Sequence, residues 1–111
     1  MIVNCAIEKN IIKWCNENGK EYTVTVTEPN LMLFNEKQIL CIFNNYKTVC
    51  AFDEEGNCCE LKNNDNFCIG YLQKFPNYLT VVASVKYEDG LWHDYNFICD
   101  GKKFIKNTPA R

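Results

Sequence analysis

Cysteine is the residue type in this chain best equipped for chemistry, since a thiolate can attack a carbonyl, ligate a metal or be oxidised. Eight occur among 111 residues: Cys5, Cys15, Cys41, Cys50, Cys58, Cys59, Cys68 and Cys99. Structural zinc wants ligand pairs converging on one tetrahedral point, typically spaced as Cys-x2-Cys. That spacing is absent, and the single histidine, His93, has no cysteine within four residues. Cys58 and Cys59 are adjacent, so in a strand they point to opposite faces and cannot share a metal. A thioredoxin-like site would need a Cys-x-x-Cys motif in a βαβ context, which is also missing. A cysteine nucleophile needs a base beside it, and nothing local pairs His93 with a thiol. The expectation is therefore no metal, no cofactor and no catalytic constellation.

Other reaction types find little support. The carboxylates cluster at Asp53-Glu54-Glu55 and Glu88-Asp89, which read as solvated turn tips rather than a pair held across a cleft. Serine occurs once, at Ser84, and there is no Gly-rich phosphate loop or nucleophile elbow. The formal net charge is −2, and the only adjacent basic pair is Lys102-Lys103. A direct nucleic-acid binder would carry a basic stripe to collect phosphates. Near-balanced charge equally excludes a carboxylate-dense nucleic-acid mimic.

Most of the cysteines lie within apolar runs such as Ile39–Phe43 and Asn96–Cys99, where a free thiol packs as a small hydrophobe. Apolar residues make up 47% of the chain and charged ones 23%, a composition that folds around a core of its own. A single domain, 1-111, is the economical reading. No run approaches the roughly 20 apolar residues of a membrane-spanning helix. Met1–Lys9 lacks the basic n-region of a secretory signal. Both features point to the cytoplasm, or to the host cytoplasm for a viral protein, where thiols stay reduced. A trimmed secreted chain stapled by disulfides is the alternative.

The elements that must position these residues follow from periodicity and turn chemistry. Asn4–Asn18 carries Ile7, Ile11, Trp14 and Cys15 at helical spacing, with Asn4 as a cap and Gly19 as a stop, and predicts an N-terminal helix. Glu21–Thr27 alternates with β-branched residues and predicts a strand. Leu31–Phe34 and Gln38–Phe43 read as two strands around Asn35-Glu36-Lys37, or as one buried helix. In Tyr46–Lys62, a three-residue loop with Gly56 in the left-handed region pairs Asp53 with Asn57. Ala51 then faces Cys59, and Val49 faces Leu61. The second such loop, Glu88-Asp89-Gly90, pairs Tyr87 with Leu91. It sets Val85 opposite His93, Ala83 opposite Tyr95, Val81 opposite Phe97 and Leu79 opposite Cys99. A hairpin at Asp100-Gly101 would bring Phe104 across from Phe97. Asn66–Phe75 is a short helix or strand, weakened by Gly70 and ended by Pro76. The predicted fold is α+β: one N-terminal helix packed on an antiparallel sheet of about five to seven strands built from consecutive hairpins.

This register sorts the functional candidates. Cys15, Cys41, Cys59 and Cys99 fall on buried positions and are expected to be inert. Cys50 and Cys58 fall on the opposite face and are the thiols expected to be open to oxidation. His93, Tyr95 and Phe97 point to the core. Trp92, Asp94 and Asn96 point away from it, beside Lys86 and the acidic turn Glu88-Asp89. A tryptophan in a mixed polar patch suits an interface anchor, unless the N-terminal helix covers that face and makes Trp92 core.

Eleven lysines against one arginine, with abundant asparagine, is the composition of an AT-rich genome. Size, mild acidity and absence of reaction motifs then favour a small intracellular protein-binding inhibitor. Examples would be a phage or mobile-element antagonist of a host defence nuclease (anti-CRISPR-like) or a toxin immunity protein. Its partner would be another protein, with no membrane and no direct nucleic-acid contact, and the open sheet edge could pair two copies. The alternative is a small-molecule-binding or enzymatic domain with a pocket near His93.

Overall fold

Residues 1–110 are described by a computed structural model, and every element in them is a β-strand. Eleven strands follow one another: β1 (Val3–Glu8), β2 (Ile11–Cys15), β3 (Glu21–Thr25), β4 (Pro29–Phe34), β5 (Gln38–Phe43), β6 (Thr48–Asp53), β7 (Cys58–Lys62), β8 (Phe67–Lys74), β9 (Leu79–Lys86), β10 (Trp92–Cys99) and β11 (Phe104–Pro109). They form three antiparallel meanders in chain order: β1-β2-β3, β4-β5-β6-β7 and β8-β9-β10-β11. The predicted α+β architecture is overturned. Among the described residues there is no helix, and so none long and apolar enough to cross a membrane.

The N-terminal segment shows why the helical reading failed. Ile11-Ile12-Lys13-Trp14 alternates outside and inside, with Ile12 and Trp14 buried and Ile11 and Lys13 exposed. That is a strand period of two, which the coincidental spacing of Ile7, Ile11 and Trp14 masks. Lys9, at φ 56°, and Asn10 make the turn, so Ile7 pairs with Ile12 and Glu8 with Ile11. Asn4 is not a helix cap. It sits at φ 54° where the β1 register shifts, a bulge that bends the strand.

The middle sheet is packed on both faces. Toward the first sheet, Ile39, Cys41, Cys50 and Phe52 meet Ile2, Ile12, Trp14 and Val26. Toward the third sheet, Ile42 and Val49 meet Ile69, Val81, Ala83 and Phe97, while Leu40 and Ala51 meet Leu79 and Cys99. This explains the unbroken apolar run Ile39–Ile42, in which alternate residues serve different cores and all are buried. Trp14 is the hinge pin of the first interface. It stacks on Tyr22 at 5.6 Å, lies 6.0 Å from Phe52, and its indole N–H donates to the Glu54 carbonyl at 3.0 Å.

The hairpins obey the turn chemistry. Gly56 and Gly90 take φ 85° and 82°, and the closing bonds Asp53 N–H to Asn57 C=O and Tyr87 N–H to Leu91 C=O are both 2.9 Å. Ala51 faces Cys59 and Val49 faces Leu61, as the register predicts. Val85 faces His93, Ala83 faces Tyr95 and Val81 faces Phe97, beyond which Leu79 and Cys99 share a buried cluster. The last hairpin departs from expectation. Phe104 pairs with Cys99, and Lys106 sits opposite Phe97, because the turn closes around Gly101 and Lys102, with the Asp100 N–H donating to the Lys103 carbonyl at 3.0 Å. Asn66–Phe75 resolves as β8. It carries a bulge at Gly70, where an added Cβ would lie 3.1 Å from the Val82 carbonyl oxygen.

Cys59 and Cys99 are not inert fillers. They form a disulfide that ties β7 to β10 and so the middle sheet to the third, across a sequence separation of 40. Neither lies in a motif that would have paired them, because the bridge depends on two sheets stacking face to face.

Candidate protein-interaction surface

The end of the β9–β10 hairpin projects three large apolar side chains into solvent. Leu91 is 59% exposed, Trp92 46% and Tyr87 37%. Glu88 and Asp89 form the tip between them and are exposed as well. The third sheet has eight-residue strands here against six in β6 and five in β7, so the tip overhangs its neighbour. That overhang, rather than the alternation itself, leaves the apolar groups uncovered.

The candidate residues divide into those free to contact a partner and those that brace the sheet. Trp92 sits directly opposite Lys86, and both are exposed. Asp94 faces Ser84, whose hydroxyl donates to the carboxylate. Asp89 caps its own turn, accepting the Leu91 N–H at 2.9 Å. Asn96 is buried: it accepts a hydrogen bond from the Thr80 hydroxyl at 2.9 Å and donates to the Thr108 hydroxyl at 3.2 Å. Its amide therefore holds β9, β10 and β11 together and is not presented to solvent. Trp92 has no helix to cover it, which removes the reading of this residue as core.

On the other side of the tip, His93 is exposed rather than buried. Its strand register is right, yet the middle sheet stops short of it. Its ring lies edge-on to Tyr87 at 5.0 Å. The Tyr87 and Tyr95 hydroxyls are hydrogen-bonded, which raises the Tyr95 phenol above its ordinary value. Lys106 lies over the Tyr95 ring at 4.5 Å and the Tyr87 ring at 6.0 Å. This cluster fixes the aromatic rings in place and lowers the entropy that a contact would cost them. The surface concavities beside Met1 and Glu36, between Glu36 and Pro76, between Glu8 and Lys13 and between Ile7 and Met32 are not lined by His93. Leu91 and Tyr87 were missed as sequence candidates. They flank a Gly90 turn, and the signal lay in three apolar residues bracketing an acidic tip.

The thiols fall into distinct environments. Cys58 is exposed, but Cys50 is buried, contrary to its expected openness. The face opposite Cys59 is simply the face that packs on the first sheet. Cys50 donates to the Glu60 carboxylate at 3.7 Å, and Cys58 donates to the Cys59 carbonyl at 3.6 Å. Burial pushes the Cys50 thiol far above its ordinary range, with Cys58 and Glu60 adding to it, and burial raises Cys58 too. Cys41 is fully buried and pushed up to about 11 by desolvation, as is half-buried Cys5. Cys15 is half-buried, and Cys68 is exposed. Among the described residues no three His, Cys, Asp or Glu side chains converge on a metal-sized point. Comparison with protein-family models, with curated proteins and with solved structures gives no match, so residues and geometry alone carry the functional reading.

Proposed function

We propose that this protein acts by binding and obstructing another protein, with the β9–β10 hairpin end as its contact. The observation that carries this reading is the joint exposure of Tyr87, Leu91 and Trp92 around Glu88 and Asp89. Hot spots are dominated by aromatic anchors that fill pockets, with a polar rim that excludes water. Here the anchors stand on a braced hairpin, and Glu88 and Asp94 supply exposed carboxylates beside them. Such a finger complements a cleft with an apolar floor and a basic rim. Nucleases and nucleic-acid-directed toxins build clefts of that kind, since they must collect phosphates. An antagonist of a host defence nuclease carried by a phage or mobile element, or a toxin immunity protein, is the form of this activity we favour. The cytoplasm, the host's if the gene is viral, is the compartment in which we place it. The exposed free thiols Cys58 and Cys68 suit reducing conditions, whereas the Cys59–Cys99 bridge suits oxidising ones, so the placement rests on the proposed role rather than on the cysteines.

The test is affinity capture from the native host by wild type and by a Leu91→Ala/Trp92→Ala double variant, followed by binding of the purified partner. Loss of about 2 kcal/mol or more of binding free energy in the double variant supports the reading. Equal binding by both proteins would remove the hairpin from the interface. Turnover of a small substrate, with no macromolecular partner, would remove the function altogether.

A further inference from the structure

The first sheet is one strand short. The middle and third sheets each have four strands, stacked in the same order: β4 lies against β8, β5 against β9, and β7 nearest β11. In the first sheet, Trp14 of β2 sits over Phe52 of β6, and Ile2 just ahead of β1 donates its N–H to Glu36, in the turn leading into β5. β1 therefore stands over β5 and β2 over β6. The place over β4, which β8 fills on the opposite side, has no strand in it.

The side chains around that vacancy are those of an uncovered core. Met32 and Phe34 of β4 pair with Cys41 and Ile39, so they share the face that packs on the first sheet. Met32 is only half-buried and Phe34 is 37% exposed. Ile7 pairs with fully buried Ile12 and points to the same interior, yet it too is 37% exposed. Between them runs a groove of about 230 Å³ lined by Ile7, Lys9, Pro29, Asn30, Leu31 and Met32. β1 is the free edge of its sheet. With Glu8 and Ile11 closing a two-residue turn, the alternation of an antiparallel ladder sends the backbone N–H and C=O of Ile7 outward.

We propose that the groove between β1 and β4 receives an extended segment of a partner protein as the missing fourth strand of the first sheet. The segment hydrogen-bonds to the free edge of β1, and every second side chain covers Ile7, Met32 and Phe34. Lys9, on the groove wall, favours a carboxylate at one end of that segment. A second copy of this chain is a poor occupant. All eleven strands of the described residues are already placed in their own sheets, so a copy could offer only edge against edge. This surface lies on a different sheet from the β9–β10 hairpin, and the proposal goes beyond the hairpin reading without depending on it.

The probe is a random library of short peptides, panned on the whole protein and counter-panned on an Ile7→Lys variant. Recovered peptides should alternate apolar and polar residues and slow hydrogen exchange at the Ile7 amide. They should lose about tenfold or more in affinity on Ile7→Lys and on Phe34→Ser, and be untouched by Trp92→Ala. A control leaves the protein native. N-methylating the peptide at its edge-facing amides should abolish binding, because strand addition needs those donors. Binding that survives N-methylation overturns the proposal, as does a library yielding no peptide sensitive to Ile7→Lys. Concentration-dependent dimerisation that protects the Ile7 amide would reassign the edge to a second copy and likewise overturn it.

Discussion

The first and third sheets both lean on the middle one, but they end in opposite ways. The third sheet is longer than its neighbour and overshoots it, so Tyr87, Leu91 and Trp92 project as a finger. The first sheet is narrower than its neighbour and undershoots it, so Ile7 and Met32 line a slot. In both places a side chain obeys the alternation that should bury it, or brackets a turn that should end at the core, and finds nothing opposite. Exposure of apolar surface here is a consequence of sheet size, not of pattern. It marks where another chain can complete what the fold leaves open.

The largest expected effect separates the packed core of the first sheet from the open end of the third. Trp14 is 1% exposed, and Trp92 is 46%. Trp14→Ala removes a buried indole, its stacking on Tyr22 and its bond to Glu54, and should destabilise the protein by about 3–5 kcal/mol. Chemical denaturation of the two tryptophan variants measures the contrast directly. Similar losses for Trp14→Ala and Trp92→Ala would erase the distinction between core and finger.

Next in size comes the tie between the middle and third sheets. Closing the Cys59–Cys99 loop, of separation 40, limits the unfolded chain by about 4 kcal/mol on the chain-entropy account. Cys99→Ser should lower stability by a comparable amount, and wild type under reductant should approach the same value. Peptide mapping under non-reducing conditions should recover the two cysteines in one fragment. The first sheet carries no bridge, so its amides should exchange first in both forms. Loss of the bridge should widen exchange in the third sheet rather than the first.

A third test uses pH on the interface between the first and middle sheets. Cys5 and Cys41 are both held at about 11 against an ordinary 9.0. The unfolded chain therefore releases these protons before the folded one does. Their contribution is intact below about pH 9, and it is lost as pH rises through 11. Stability from denaturant titrations should be flat up to that lower limit and then fall. A Cys41→Ala variant should show a shallower fall. Cys58 and Cys68, being exposed, should alkylate in the native state at neutral pH, whereas Cys41 and Cys50 should react only on unfolding.

Much of the second half of the molecule was legible from its turns. Asp53–Asn57 and Tyr87–Leu91 fix a loop length, and the loop length fixes every pair that follows. Where a bulge intervenes, as between Tyr95 and Phe97 or at Gly70, the backbone irregularity leaves no comparable mark, and where the turn closes around Gly101-Lys102 rather than Asp100-Gly101, Phe104 lands on a different partner. The first hairpin was misread because its turn is Lys9-Asn10, without glycine, and because four apolar residues happen to fit a helical face. The site was half legible. Alternation put Trp92 on the outer face, but the exposure of His93 and Leu91 depends on where the middle sheet stops, and the burial of Cys50 depends on a third layer. Neither is written in a single strand.

The smallest expected effect on folding bears most on function. Leu91 and Trp92 lie beyond the packed part of the third sheet, so Leu91→Ala and Trp92→Ala should each change stability by no more than about 0.5 kcal/mol. Ile7→Lys should be similarly mild, because its side chain already reaches solvent. Surface residues that cost nothing to fold but whose loss weakens binding are the ones held for a partner. The finger and the slot can then be told apart by crossing them. If they serve separate contacts, Trp92→Ala should weaken capture of a partner without changing peptide binding beside Ile7, and Ile7→Lys should do the reverse. Free energies of the double variant should add within about 0.5 kcal/mol. A coupling larger than that would mean one partner spans both ends of the molecule, reaching across the middle sheet to fill the slot while it grips the finger.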